Sequence, residues 1–155
     1  FINCTKKFIM LQLIMKNYRI MSLDLGEVRI GVALSDLMWI IASGLETYTR
    51  RNIEADVEHI ANLVKEHNVG LIVLGLPINM DGTKGERVEK TYAFAEELSK
   101  KIDCKIDYMD ERLTTVSAER ILIDGNVRRD KRKQVIDKLA ATIILQSYLE
   151  CKVKE

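Results

Sequence analysis

One proline, eight glycines, three cysteines and 6% aromatic residues are spread over a chain of 155. So little Pro and Gly leaves out collagen-like and linker-rich architectures. Cys4, Cys104 and Cys151 are odd in number and widely separated, with no C-x-x-C pair. That excludes a zinc ribbon, a thioredoxin-type motif or a disulfide framework, and fits a reduced, cytoplasmic setting. Long hydrophobic runs are also missing. Residues 8–15 form an apolar stretch behind Lys6 and Lys7, but Gln12 interrupts it and no small-residue cleavage site follows. The stretch is too short to span a bilayer, so no membrane partner is expected. An excess of charge of one sign is absent as well. With 24 Lys+Arg against 23 Asp+Glu the net charge is +1, so a polyanionic partner must be met by a local patch.

What is present is 47% hydrophobic and 30% charged residues of both signs. This describes one globular domain with its own core, too short for a two-lobed enzyme. Residues 1–14 read as an N-terminal extension outside the fold, and 15–155 as a single domain. Within it the charge is uneven. Residues 112–138 carry eight basic side chains against four acidic, whereas residues 86–111 carry five against eight. The basic, partner-facing segment therefore lies toward the C-terminus.

Residues 18–25 alternate as a strand, with Ile20, Ser22 and Asp24 on one face and Met21, Leu23 and Leu25 on the other. Gly26 closes it, and RIGVALS (29–35) returns as the second arm of a hairpin, with a weaker third strand over 45–49. Residues 52–68 place Ile53, Val57, Ile60, Ala61 and Val64 at helical spacing. The apolar run 71–74 reads as a buried strand parallel to the first. A turn-rich loop over 75–85 leads into a helix over 86–101, then a fifth strand over 105–110. A third helix is expected between Thr114 or Thr115 and Asp124, and a last one from Asp130 as N-cap to about Leu149. One mixed five-stranded α/β sheet flanked by helices accounts for this order.

Three carboxylates occupy costly positions. Asp24 lies inside an apolar strand, Glu111 just beyond the fifth strand, and Asp137 in the apolar start of the last helix. The C-terminal ends of parallel strands share one sheet edge, so Asp24 and Glu111 can converge there, with Asp137 delivered by the helix. Clustered carboxylates repel unless a cation neutralises them, and hard oxygen donors suit Mg²⁺ or Mn²⁺. Such ions activate water for phosphodiester hydrolysis. The plainer alternatives are a strand end for Asp24, intrahelical pairing of Asp137 with Lys133 or Lys138, and pairing of Glu111 with Arg112. Spacing does not decide between Asp110 and Glu111, because alternation lets only one of them face the site.

Four segments in order, LDLGEVRIGVALSD (23–36), GLPINMDGTKGER (75–87), MDERLTTVSAERIL (109–122) and VIDKLAATIILQSYL (135–149), resemble the YqgF family of pre-16S rRNA nucleases and Holliday-junction-resolvase homologues. The resemblance covers about residues 18–149. It implies a ribonuclease H-like fold, Asp24, Glu111 and Asp137 as catalytic and metal-binding residues, Mg²⁺ or Mn²⁺ as cofactor, and 5′ maturation of the 16S rRNA precursor in the bacterial cytoplasm. Precursor rRNA, with branched DNA or a ribosomal subunit as further partners, is then expected, as monomer or homodimer. Junction resolution and a non-catalytic RNA-binding role in ribosome assembly are the alternatives. Asp24-Leu25-Gly26 also resembles the phosphate loop of the actin and sugar-kinase fold, whose members need a second lobe.

Arg128, Arg129, Lys131, Arg132 and Lys133 run into the Asp137 helix and, with Arg29 and Arg112, are candidates to grip a nucleic-acid backbone. Asn79, Asp81, Thr83 and Arg87 are candidates to position substrate, with a simple turn as the competing explanation. Glu27-Val28 and 37–39 depart from the family pattern, and Trp39 reads as a core residue or a base-stacking platform. His59 and His67 are expected at the surface.

Overall fold

The computed structural model describes residues 4–6, 17–112 and 129–153. Strands β1 (Arg19–Leu25), β2 (Arg29–Ser35) and β3 (Ala42–Thr49) lead to helix α1 (Ile53–Glu66). Strand β4 (Val69–Leu76), helix α2 (Glu86–Ser99), strand β5 (Lys105–Asp110) and helix α3 (Arg129–Tyr148) follow, and α3 ends in a π-helical turn over Leu149–Val153. The expected third helix, with its Thr114 or Thr115 cap, lies outside the described residues, as does Arg128. The boundary between the extension and the domain at residues 14 and 15 lies outside them too. Helix α3 begins at Arg129, so Asp130 lies within the helix and is not its N-cap.

The five strands form one sheet in the order β3-β2-β1-β4-β5. The β1–β2 and β2–β3 pairs are antiparallel, and β1–β4 and β4–β5 are parallel. This is the mixed α/β sheet expected from the element order. The hairpin at Gly26 forms as read, its N–H donating to Arg29 O at 2.8 Å. Strand β3 starts three residues earlier than its pattern suggested, because Ser43 and Gly44 hide an edge strand that pairs with Leu34 and Ala33.

Alternation divides the core. On one face Met21, Leu23, Ile30, Val32, Ile72 and Leu74 pack against α1 and α2. On the other, Ile20, Ala33 and Val73 meet Ala141, Ile144, Leu145 and Leu149 of the α3 segment. Ser22, also on this face, donates its hydroxyl to Ala141 O at 2.5 Å, so its burial is compensated. Each fully buried Ile or Leu of this interface contributes about 1.5–3 kcal/mol. Helix α1 is capped by Asn52, whose side chain accepts from Ala55 N at 2.8 Å.

Candidate nuclease site

Asp24 is the penultimate residue of β1 and shares the α3 face with Ile20 and Ser22. Both of its neighbours on that face are glycine. Gly31 is its register partner on β2. Gly75 stands one residue beyond the Leu23–Leu74 pairing on β4. Neither glycine is there for an unusual dihedral; each clears space. A Cβ on Gly31 would overlap the backbone carbonyl of Asp137, and one on Gly75 would overlap Oε1 of Glu111. Two strands thus withdraw their side chains so that α3 from above and Glu111 from β5 can approach Asp24.

The ambiguity between Asp110 and Glu111 resolves through β5. Asp107 accepts a hydrogen bond from Tyr148 of α3 at 2.6 Å, and Met109 packs in the α3-side core. Period 2 then carries Glu111 to the same face, and its N–H continues the β4 ladder by donating to Leu76 O at 3.0 Å. Asp110 points away, where Arg112 grips it at 2.6 Å and holds its carboxyl below the usual range.

Asp24 and Glu111 hydrogen-bond to each other. Burial, then the charge of Asp24, pushes Glu111 up to about 8, so the pair retains a proton at neutral pH. Burial also raises Asp24, with the nearby Asp137 charge adding to it and the Glu111 hydrogen bond and Arg87 opposing. Asp137 is held by Arg29, Nε to Oδ2 at 2.6 Å. Lys138 is not its ion-pair partner, and the side chain of Lys133 lies outside what the structure describes. Arg29, expected to face nucleic acid, is therefore engaged with a carboxylate of the site, and Arg112 is engaged with Asp110. Among the described residues no group of three carboxylate, Cys or His side chains is close enough to hold a metal ion. The buried Asp24–Glu111 pair nevertheless fits a divalent cation, since it offers hard oxygen donors whose repulsion is at present relieved by a proton.

Arg87, at the start of α2, is the cation whose charge acts on both Asp24 and Glu111. It lines a cleft of about 370 Å³ with Pro77, Asn79, Met80, Glu111 and Arg112. The other loop candidates bond mainly among themselves. Asn79 donates to Thr83 Oγ1 at 2.9 Å, and Asp81 accepts from Thr83 N and Oγ1 at 2.9 and 2.6 Å, which is turn construction. Lys131 of the basic run is exposed. Trp39 is anchored, donating from Nε1 to Tyr18 O at 2.8 Å and packing on the Tyr18 ring, which favours the core role over a stacking platform. His67 ends α1 as expected. His59 is partly buried against β3, stacked on Tyr48 and bonded to Glu46, so it is less of a surface residue than expected. Sequence reasoning missed the clearing role of Gly31 and Gly75, and the Arg29–Asp137 pair.

The family model described as "RuvX: Holliday junction resolvase" matches residues 18–151. The chain belongs to the RuvX family. It is 52% identical over 134 residues to a protein of Heliobacterium modesticaldum, covering 86% of this chain and 90% of that one. It is 54% identical over 134 residues to one of Halalkalibacterium halodurans, covering 85% and 96%. Both relatives carry the name "Putative pre-16S rRNA nuclease". Among solved structures the RuvX chain is similar to Thermus thermophilus RuvC in complex with a Holliday junction, with TM-score 0.57, 8% identity, and 88% of this chain and 97% of that one covered. It is also similar to the Fowlpox virus resolvase bound to junction DNA, with TM-score 0.53, 13% identity, and 85% and 97% covered. The fold is thus that of the RuvC-like, ribonuclease H-fold nucleases. This family of nucleases supersedes the kinase-type alternative for Asp24-Leu25-Gly26. No helix among the described residues is long and apolar enough to cross a membrane.

Proposed function

We propose that this RuvX chain hydrolyses phosphodiester bonds of precursor 16S rRNA at its 5′ end in the bacterial cytoplasm, with Asp24, Glu111 and Asp137 as its catalytic carboxylates. The observation that carries this reading is the buried Asp24–Glu111 pair on a floor cleared by Gly31 and Gly75. A protein gains nothing in stability from bringing two carboxyls together there, so the arrangement points to a ligand cation. Mg²⁺ or Mn²⁺ held by Asp24 and Glu111, with Asp137 alongside, would supply an activated water and neutralise charge on the leaving oxygen.

The chain's own side chains perform the remaining tasks. Arg87 projects positive charge at the carboxylates and opens onto the cleft, where it binds and orients a non-bridging phosphate oxygen. Arg29 keeps Asp137 oriented toward the strand ends. Lys131 and its basic neighbours on the first turn of α3 grip backbone phosphates beyond the scissile one.

The deciding assay is cleavage of a 5′-extended 16S rRNA precursor with Mg²⁺ or Mn²⁺, comparing the wild type with Asp24→Asn. Metal-dependent trimming by the wild type and its loss in the variant are expected; full activity in Asp24→Asn would overturn the assignment. The family description favours a second reading, junction resolution. A four-way DNA junction in the same assay separates the two, since preferred cutting of the junction would replace rRNA as the substrate.

A further inference from the structure

Arg87 also lines a second, larger concavity of about 530 Å³, walled by the β1–β2 turn, the β3–α1 junction and α2. Leu25, on its wall, packs on the α1 and α2 face of the sheet, opposite Asp24, so the cavity adjoins the carboxylate site through Arg87, which also lines the cleft that holds Glu111. Four cations, Arg50, Arg51, Arg87 and Lys90, face two carboxylates, Glu27 and Asp56, around it.

Those cations are not equivalent. Arg50 is consumed by the fold, with Nε on the buried Asp56 at 2.9 Å, Nη1 on Gly26 O at 2.9 Å, and its guanidinium over the Phe94 ring. It neutralises Asp56 and stiffens the wall. Arg51 is fixed through its backbone, whose N–H donates to Asp56 Oδ1 at 3.0 Å, while its exposed side chain makes no ion pair among the described residues. Lys90 pairs with Glu86 at 2.9 Å, but with side-chain exposures of 60% and 77% that pair is readily exchanged. The mouth also carries an apolar residue without an apolar cover, Ile53, at 48% exposure.

We propose that this cavity is a nucleotide subsite for the strand whose bond lies at Asp24 and Glu111. It seats one flanking phosphate on Arg51 and Lys90, and the attached sugar and base against Leu25 and Ile53. Positioned cations bind the anion, and the apolar wall suits the body of a nucleotide. Roughly 300–1,000 Å³ is the usual size of a small-ligand pocket, far more than a bare phosphate needs. Arg87, shared with the cleft that Glu111 lines, joins the two concavities beside the carboxylates. The subsite rests on the nuclease reading and assigns it a second backbone contact, remote in sequence from residues 128–133.

The test measures binding of a short fluorescein-labelled RNA strand by anisotropy over a salt series, in an Asp24→Asn background that does not cut. With Arg51→Ala and Lys90→Ala combined, affinity at low salt should fall about tenfold, and the slope of log K on log salt should shrink by about 0.7 for each phosphate contact removed. Ile53→Ala should weaken binding about threefold at unchanged slope, because it removes an apolar contact only. Lys65→Ala, at the far end of α1, should leave both unchanged, and thermal melting checks that each variant is folded. A folded double variant with the parent's affinity and slope overturns the subsite while leaving cleavage by the wild type, and hence the nuclease reading, standing. A parent that binds no RNA overturns both.

Discussion

Gly31 and Gly75 show how a site is built from side chains that are not there. Each flanks Asp24 on the α3 face, and each would collide with an element carrying one of the other carboxylates. Gly75→Ala therefore displaces Glu111. Misplacing a reacting group by about 1 Å can cost on the order of 100-fold in rate, whereas a surplus methyl in a packed site costs about 1–3 kcal/mol in stability. Cleavage rates and urea denaturation of Gly75→Ala should show that pattern, a large loss of turnover in a folded protein; wild-type turnover would place Glu111 outside the chemistry. The carboxyl pair also makes a pH prediction. Glu111 is raised from 4.5 to about 8 in the fold, so the folded state favours its proton. That contribution to stability is complete below the unfolded value and is lost as pH rises through the folded one. The melting temperature of the metal-free protein should accordingly fall between about pH 5 and pH 8. Mg²⁺ should restore it at the upper end, and Asp24→Asn should reduce the pH dependence by removing the like charge next to Glu111, leaving the larger part that burial causes.

Among the elements, α3 has the double task of covering one sheet face and carrying Asp137. Ile144, 1% exposed at the centre of that interface, anchors the docking. Ile144→Ala should cost about 2–5 kcal/mol in denaturant unfolding. Asp137→Asn, which keeps the core intact, should remove activity with far less loss of stability. Strand alternation made part of this legible from the sequence. Tyr18 to Leu25 alternates cleanly, so the shared face of Ile20, Ser22 and Asp24 follows from period 2 alone. Strand β5 does not, because both of its faces mix polar and apolar residues: Lys105, Asp107 and Met109 on one, Ile106, Tyr108 and Asp110 on the other. The Tyr148–Asp107 contact and the packing of Met109 on the α3 side show which face is which, and a bond over 41 residues is not visible in local spacing. The same holds for Arg29, whose partner lies 108 residues away.

For the whole molecule, the near-balance of charge that promised no general attraction to nucleic acid becomes a statement about where binding energy resides. A net charge of +1 provides little long-range steering. Several cations are also tied up internally: Arg29 by Asp137, Arg50 by Asp56, Arg112 by Asp110. What remains for a polyanion is local, with Arg87 by the carboxylates, Arg51 and Lys90 around the adjoining concavity, and Lys131 on the first turn of α3. Salt should therefore act on substrate binding and fold stability very differently. The fold rests on two apolar clusters either side of one sheet, which screening does not weaken. Phosphate contacts release counterions, and each contributes about 0.7 to 0.9 to the slope of log K on log salt, depending on whether the RNA is single-stranded or paired. Raising salt from low to physiological strength should thus lower kcat/KM on the rRNA precursor steeply through KM, with kcat and melting temperature nearly constant. A parallel fall in kcat would mean that salt acts at the carboxylates, by weakening cation binding there, and a salt-insensitive KM would show that the free cations do not carry the substrate.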